Sequence, residues 1–401
     1  MPIADIDLIF PESMKAEKFA DTLFTDIPVS DDTKMCVVIP ARNEEQYIWA
    51  CLDAFVHQTD LNGQPLNRAL FEVVVLVNNS TDCSAEIVRD FQRRNTNLQL
   101  FLEEVTLPKP NANIGFIRKA LKTVAYHRLK KQGGGLILTT DADTKVSHDW
   151  LAQNQSEIDN GAEVIGGRIL LRKDEFQSMD TGTQALYFLD EQYQFLQAEL
   201  EAEIMGENHD PAPRHHQHFN GSFAITTDCY ARSGGVPEVS HLEDCAFVEK
   251  LQQVDARIRH SNRVKVYTSA RCVGRTCYGL SYQLNKWKNT CNNEWLVESG
   301  TSVFERLTLK KQLKDLWTRR HSKAFDGKTA LQKCLPDLFL SPAKAEVLFS
   351  SSYFGAFYQQ VMQLRPEAGQ PDLVPLETAI GQLQQISKHQ SRASFCQTSS
   401  L

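Results

Sequence analysis

The sequence predicts an α/β fold, a sheet flanked by helices, with a helical appendage toward the C-terminus. Three observations carry this. Short β-branched runs alternate with longer amphipathic segments from about Lys34 onward. Polar residues gather where those apolar runs end, and in open α/β sheets ligands bind beyond the carboxyl ends of strands. Past Tyr278 the pattern turns helical and polar.

Residues 1–33, with the acidic tip "SDD", read as a lead-in. "MCVVIP", "FEVVVLV" and "LQLFLEEV" read as strands, separated by the helical "EEQYIWACLDAFVHQ" and "DCSAEIVRDFQRR". "GFIRKALKTVAYHRLKKQ" carries Phe116, Leu121, Val124 and Leu129 near helical spacing and stops at "GGG". The strand "LILTT" then delivers Asp141 and Asp143. "AEVIGGRILL" and "GSFAITTDCY" read as further strands around a loop over 205–218, rich in His and Pro and expected to move. The expected domains are 34–278 and a helical region 279–401 with a flexible, Gln- and Ser-rich end.

A formal charge of -7, from 50 acidic and 43 basic residues without a long run of either sign, argues against nucleic acid as a partner. Ten cysteines are spread without a CxxC pair, and the first residues lack a basic, apolar leader. These point to reduced thiols and a cytoplasmic location. No apolar stretch approaches the roughly 18–20 residues that span a bilayer, so no transmembrane segment is expected, and peripheral contact at the inner face of a membrane stays open.

Two carboxylates at i and i+2 lie on one side of an extended chain, so Asp141 and Asp143 can face one divalent cation while Ala142 points away. Hard oxygen ligands suit Mn²⁺ or Mg²⁺, which keep waters and share coordination with a diphosphate. The competing reading is a strand-to-turn junction in which Asp accepts free backbone N–H groups. "HLEDCAF" adds a second acidic pair, Glu243 and Asp244, which could instead complement a helix N-terminus.

Five pieces in order, "CVVIPARNEEQYIWACLDAF", "VVVLVNNSTDCSAEIV", "GFIRKAL", "DAD" and "FNGSFAITTDCYARSGGVPEVSHLEDCAF", resemble glycosyltransferase family 2 over residues 34 to 275. The resemblance implies a GT-A fold, that is, the Rossmann-like mixed sheet of nucleotide-diphospho-sugar transferases. It implies a metal-dependent, inverting enzyme that moves a sugar from a nucleotide-sugar donor to an acceptor hydroxyl. On it, Pro40 ends the first strand, the exposed backbone of Ala41, Arg42 and Asn43 meets the nucleotide base, and Glu44 with Glu45 opens the next helix. Asn79 stands where an Asp would accept from uracil; an amide both accepts and donates, so a UDP-sugar is preferred with the base left open. Arg118 resembles the basic residue that reaches the nucleotide part of the donor, the other reading being a solvated Arg beside Lys119 and Lys122. Asp143 would bind the metal directly and Asp141 the ribose or a metal-bound water. Asp244 would be the general base, with Glu243 the local alternative. Arg271 and Arg275 could pair with the diphosphate or be surface arginines. A QxxRW motif is not found, which favours addition of a single sugar.

His209, His215, His216 and His218 lack the spacing or partner cysteines of a structural zinc site and suit a loop contacting acceptor or diphosphate. Two alternatives stand beside the transferase. One is a DxD phosphohydrolase, against which Lys145 stands where Thr or Val is expected. The other is a catalytically silent nucleotide-sugar sensor or assembly protein. The acceptor, whether saccharide, lipid-linked or small molecule, is not legible.

Overall fold

The computed structural model describes residues 14–272, 274, 279–289, 295–365 and 371–398. Two compact units emerge. One takes in residues up to Arg172, His218–Val248 and Arg263–Ser269; the other takes in Lys173–Gln217, Glu249–Asn262 and the chain from Ala270 onward.

The sheet has strands β1 (Met35–Ala41), β2 (Phe71–Asn78), β3 (Leu100–Val105), β4 (Leu136–Thr140), β5 (Thr144–Val146), β6 (Val164–Leu171), β7 (Ser222–Thr226) and β8 (Ile258–Thr268), in the order β3-β2-β1-β4-β7-β6-β8-β5. β1 pairs in parallel with β2 and β4, and β2 with β3, whereas β4–β7, β6–β7 and β5–β8 are antiparallel. This is the mixed sheet flanked by helices that the GT-A resemblance implies. Every residue of β1, β2 and β4 is buried, which is why these strands read as mainly apolar runs rather than alternating ones.

β1 does not stop at Pro40. It continues to Ala41, with Pro40 opposite Leu76, while pairing with β4 runs from Met35 only to Val38. Beyond the end of that pairing a missing N–H removes no ladder bond on the β4 side, so the proline is tolerated there.

Buried within the first unit, Glu72 of β2 is met by Arg128 in a two-pronged ion pair, Nε to Oε1 at 2.8 Å and Nη2 to Oε2 at 2.6 Å. Burial alone would lower the Arg128 pKa; the hydrogen bond and charge of Glu72 outweigh it and leave it raised. Residues 14–33 include the short helix Ala16–Ala20, whose Phe19 ring lies 5.5 Å from that of Phe116.

Helix Ile114–Lys131 is capped by Asn113, which accepts from the Phe116 N–H, and buries Phe116, Ile117, Leu121, Val124 and Leu129. It enters so close to the chain at Val239 that a Cβ on Gly115 would lie 1.8 Å from the Val239 carbonyl oxygen. Gly115→Ala is therefore expected to destabilise by about 2 kcal/mol or more, because backbone must move rather than a side chain. Urea unfolding followed by circular dichroism checks this, and an unchanged midpoint would contradict the close approach.

In the second unit, helix Thr181–Met205 runs 25 residues from its Asp180 cap to Gly206, which takes the left-handed conformation. Helices Gly300–Thr318, Gly327–Cys334, Pro342–Phe349 and Phe354–Gln363 enclose a core that includes Leu313, Leu331, Phe349 and Phe357. A small antiparallel pair, β9 (Leu296–Glu298) with β10 (Leu373–Pro375), interrupts the helical pattern. The Gln-rich end, expected to fray, is helical from Leu376 to Thr398. It buries Leu376, Ala379, Ile380 and Leu383, an i, i+3, i+4, i+7 stripe. No helix among the described residues is long and apolar enough to cross a membrane.

Candidate active site

The loops after β1 and β2 are stitched together. The N–H groups of Asn43, Glu44 and Glu45 donate to Ser80 Oγ (3.0 Å), Ser84 Oγ (2.7 Å) and an Asp82 carboxylate oxygen (3.0 Å), while Asn43 Oδ1 accepts the Thr81 N–H (2.7 Å). Asn43 and Asn79 sit at φ 55° and 48°, in the left-handed region asparagine tolerates. Two expectations change here. The backbone amides of Asn43 and Glu44 are occupied within the fold rather than open to a base. The helix begins at Ile48, so Glu44 and Glu45 precede its first turn, and Glu44 is buried. Ala41 is also buried, and Arg42 presents an exposed side chain.

Asn79 is committed to the fold as well. Its Nδ2 donates to the Leu107 carbonyl (2.9 Å) and its Oδ1 accepts the Leu107 N–H (3.3 Å), as a neighbouring strand would do. The side chain thus closes the chain beyond β3, a role its spacing gave no sign of.

Asp141, Ala142 and Asp143 do not continue β4 in extended form. The strand ends at Thr140, and the Thr144 N–H donates to the Asp141 carbonyl at 3.0 Å, closing a turn before β5. Ala142 is buried in the core. The carboxylates come from one turn rather than from alternate positions of a strand, so the side-of-strand argument does not apply. Gly221 lies beside this turn: a Cβ there would approach Asp141 Oδ2 to 3.4 Å and the Ile169 side chain to 3.1 Å. Asp143 is buried, with the Thr268 hydroxyl 3.4 Å from its Oδ1, and its carbonyl accepts from Arg172 Nη2 at 3.2 Å.

Arg118 is not a solvated residue on a helix face. Its guanidinium reaches Asp141 Oδ1 and Glu243 Oε1, both at 2.5 Å, with its side chain 13% exposed. Burial would lower its pKa, but the charges of Asp141 and Glu243 raise it instead. Lys119 and Lys122 are buried too. Glu243, the first residue of helix Glu243–Gln253, also accepts from Asn220 Nδ2 at 3.0 Å. Its burial would raise the carboxyl pKa; Arg118 outweighs that and holds it below the ordinary value. Asp244 is half-buried and accepts the Cys245 N–H at 2.9 Å.

The structure therefore brings Asp141, Arg118, Glu243 and Asp244 into one constellation. Arg275 lies outside the described residues. Sequence reasoning passed over Asn220, whose Oδ1 accepts from Lys122 Nζ at 2.6 Å. Signals for both existed: Lys122 is one helical turn after Arg118, and Asn220 opens the quoted "NGS".

Asp141 and Asp143 offer hard oxygen donors from a single turn, which fits Mn²⁺ or Mg²⁺ sharing coordination with a diphosphate and water. Among the described residues no group of three His, Cys, Asp or Glu could hold a metal alone. A cation here would thus rely on the substrate's oxygens and would compete with Arg118 for Asp141.

The 205–217 part of the 205–218 loop, in the second unit, is pinned. Asp210 accepts from Arg214 (2.7 Å), Arg259 (3.1 Å) and both the N–H (2.9 Å) and the ring of His260 (2.7 Å). His215 is buried against the Ser261 carbonyl. These contacts run against the expected mobility.

The sequence model described as Glycosyl transferase family 2 matches residues 36–214. The chain is 28% identical over 151 residues to glycosyltransferase AglE of Haloferax volcanii, covering 37% of this chain and 42% of that protein. It is 29% identical over 126 residues to glycosyltransferase GlyA of Streptococcus pneumoniae serotype 4, covering 31% of this chain and 14% of that one. The chain thus spans less than half the length of either curated relative. Among solved structures, the mannosyltransferase PcManGT of Pyrobaculum calidifontis, in complex with GDP-Man and Mn²⁺, is similar at 15% identity and a TM-score of 0.42, over 95% of this chain and 91% of that one. Residues 36–214, which include the "DAD" turn, are thus similar in sequence to glycosyltransferase family 2.

Proposed function

We propose that the chain is a divalent-cation-dependent, inverting glycosyltransferase that adds one sugar from a nucleotide-sugar donor to an acceptor hydroxyl. The observation that carries this reading is Arg118, which joins the "DAD" turn to the "ED" helix start through Asp141 and Glu243. Two acidic motifs a hundred residues apart thereby serve one reaction centre.

Asp143 and Asp141 would hold Mn²⁺ or Mg²⁺, whose chemistry is to neutralise charge developing on the leaving diphosphate. Glu243 is tied to Arg118 and Asn220, so Asp244 is the carboxylate left to take the acceptor's proton. Attack opposite the leaving group then inverts the anomeric carbon without a sugar–enzyme intermediate. Arg118 ties the two motifs together, and a cation held by Asp141 would compete with it for that carboxylate. A UDP-sugar is the first donor to test. Asp141 as a phosphohydrolase nucleophile is disfavoured by this same pairing.

Asp143→Asn should weaken Mn²⁺-dependent donor binding and turnover together, each by tenfold or more, because one anionic ligand is lost. Calorimetric titration with a nucleotide sugar and Mn²⁺, alongside product assays, measures both. Unchanged binding would remove Asp143 from the cation site.

A further inference from the structure

We propose that Lys122 is a positioning residue, holding the Asn220 carboxamide in the one orientation that presents its N–H to Glu243 and so fixes the helix start that carries Asp244. The inference rests on the transferase reading of this site for its meaning, though not for its test.

Lys122 is 1% exposed, and its Nζ donates to Asn220 Oδ1 at 2.6 Å. The ammonium also stands 4.6 Å from the ring centroid of Phe223 and 4.9 Å from that of Phe247. Asn220, itself 2% exposed, donates on its other side to Glu243 Oε1. An ammonium has three donors and no lone pair, so it can face only the oxygen of the amide. The nitrogen of Asn220 is thereby turned to Glu243, which is ionised and only accepts. A neutral amine, by contrast, has a lone pair and can face either end of the amide, so Glu243 alone is then left to orient Asn220. Flipped, Asn220 would set its oxygen against the Glu243 carboxylate, and the start of helix Glu243–Gln253 would lose a tie.

The charge on Lys122 is held near its limit. Burial is the largest influence and, with Arg118 on the same helix, pushes its pKa down to about 7; Glu243 and Asp244 from the facing helix, and Asp141 from the turn after β4, pull the other way. Lys122 therefore loses its charge as pH rises through about 7, so the ordering of Asn220 should be strongest near pH 6 and fade toward pH 8.

The test compares the full chain with Lys122→Met, which keeps the volume and removes the charge. Amide hydrogen exchange over residues 243–247, corrected for intrinsic pH dependence, should loosen at least fivefold in the wild-type protein between pH 6 and pH 8. In Lys122→Met it should be loose at both. A wild-type profile flat across that range, or a variant that keeps the wild-type profile, overturns the proposal whether or not any sugar is transferred. With a donor that is turned over, Lys122→Met should lower kcat at least tenfold at pH 6.5 and change the donor KM less than threefold. An unchanged kcat would likewise overturn it, while absence of wild-type turnover across donors counts against the transferase reading alone and leaves the exchange result to decide.

Discussion

Asp244→Asn is expected to lower transfer by about 10²- to 10⁴-fold, the usual worth of a general base, while donor affinity in the presence of Mn²⁺ changes less than about threefold. At about 1.36 kcal/mol per factor of ten, this is roughly 3–5 kcal/mol of barrier. The fold should tolerate the change. Among the described residues its carboxylate accepts the Cys245 N–H, and an amide oxygen can replace the carboxylate there. Glu243→Gln is the matched control. It keeps the shape of the neighbouring side chain but removes the charge paired with Arg118, so its effect should appear in stability as well as in rate. If Glu243→Gln abolished transfer while Asp244→Asn left it near wild type, the two carboxylates would have to exchange roles.

The largest expected loss of stability comes from Glu72→Ala on β2. Glu72 is fully buried on β2 and its partner Arg128 has a side-chain exposure of 6%. Removing one member of such a pair strands an unpaired charge in the interior, at a cost of about 3–5 kcal/mol. Arg128 would keep only its bond to the Ile27 carbonyl and its place 5.3 Å from the Phe101 ring centroid. Guanidinium unfolding of the two proteins gives the difference, and a loss under about 1 kcal/mol would mean that water or rearrangement compensates the arginine.

The parts of the fold that read well from sequence are those set by local patterning. β1, β2 and β4 announce themselves as apolar runs because both faces of a central parallel strand are covered. Asp141, Asp143, Glu243 and Asp244 stand out because carboxylates at strand and helix ends are conspicuous. What did not read depends on partners distant in the chain. Asn79 resembled a base-reading residue until the structure paired it with Leu107, 28 positions on. The burial of Arg118 and Lys122 did not read, because nothing local shows that Asp141, Glu243 and Asn220 meet that face of their helix. "GSFAITTDCY" read as one strand, although Thr226 caps a new helix, Thr227–Ser233, that Gly234 ends at φ 74°. The sequence does carry those cap signals, but β-branched residues before them masked the break.

The central claim is that the "DAD" turn and the "ED" helix form one cation-dependent transfer site. It is tested most directly by calorimetric titration of the protein with a panel of nucleotide sugars, UDP-sugars first, with Mn²⁺ and with a chelator. Saturable binding that needs Mn²⁺ and is weakened at least tenfold in Asp143→Asn, yet kept in Asp244→Asn, is the predicted result. No cation-dependent binding across the panel, or equal behaviour of the two variants, would contradict the account.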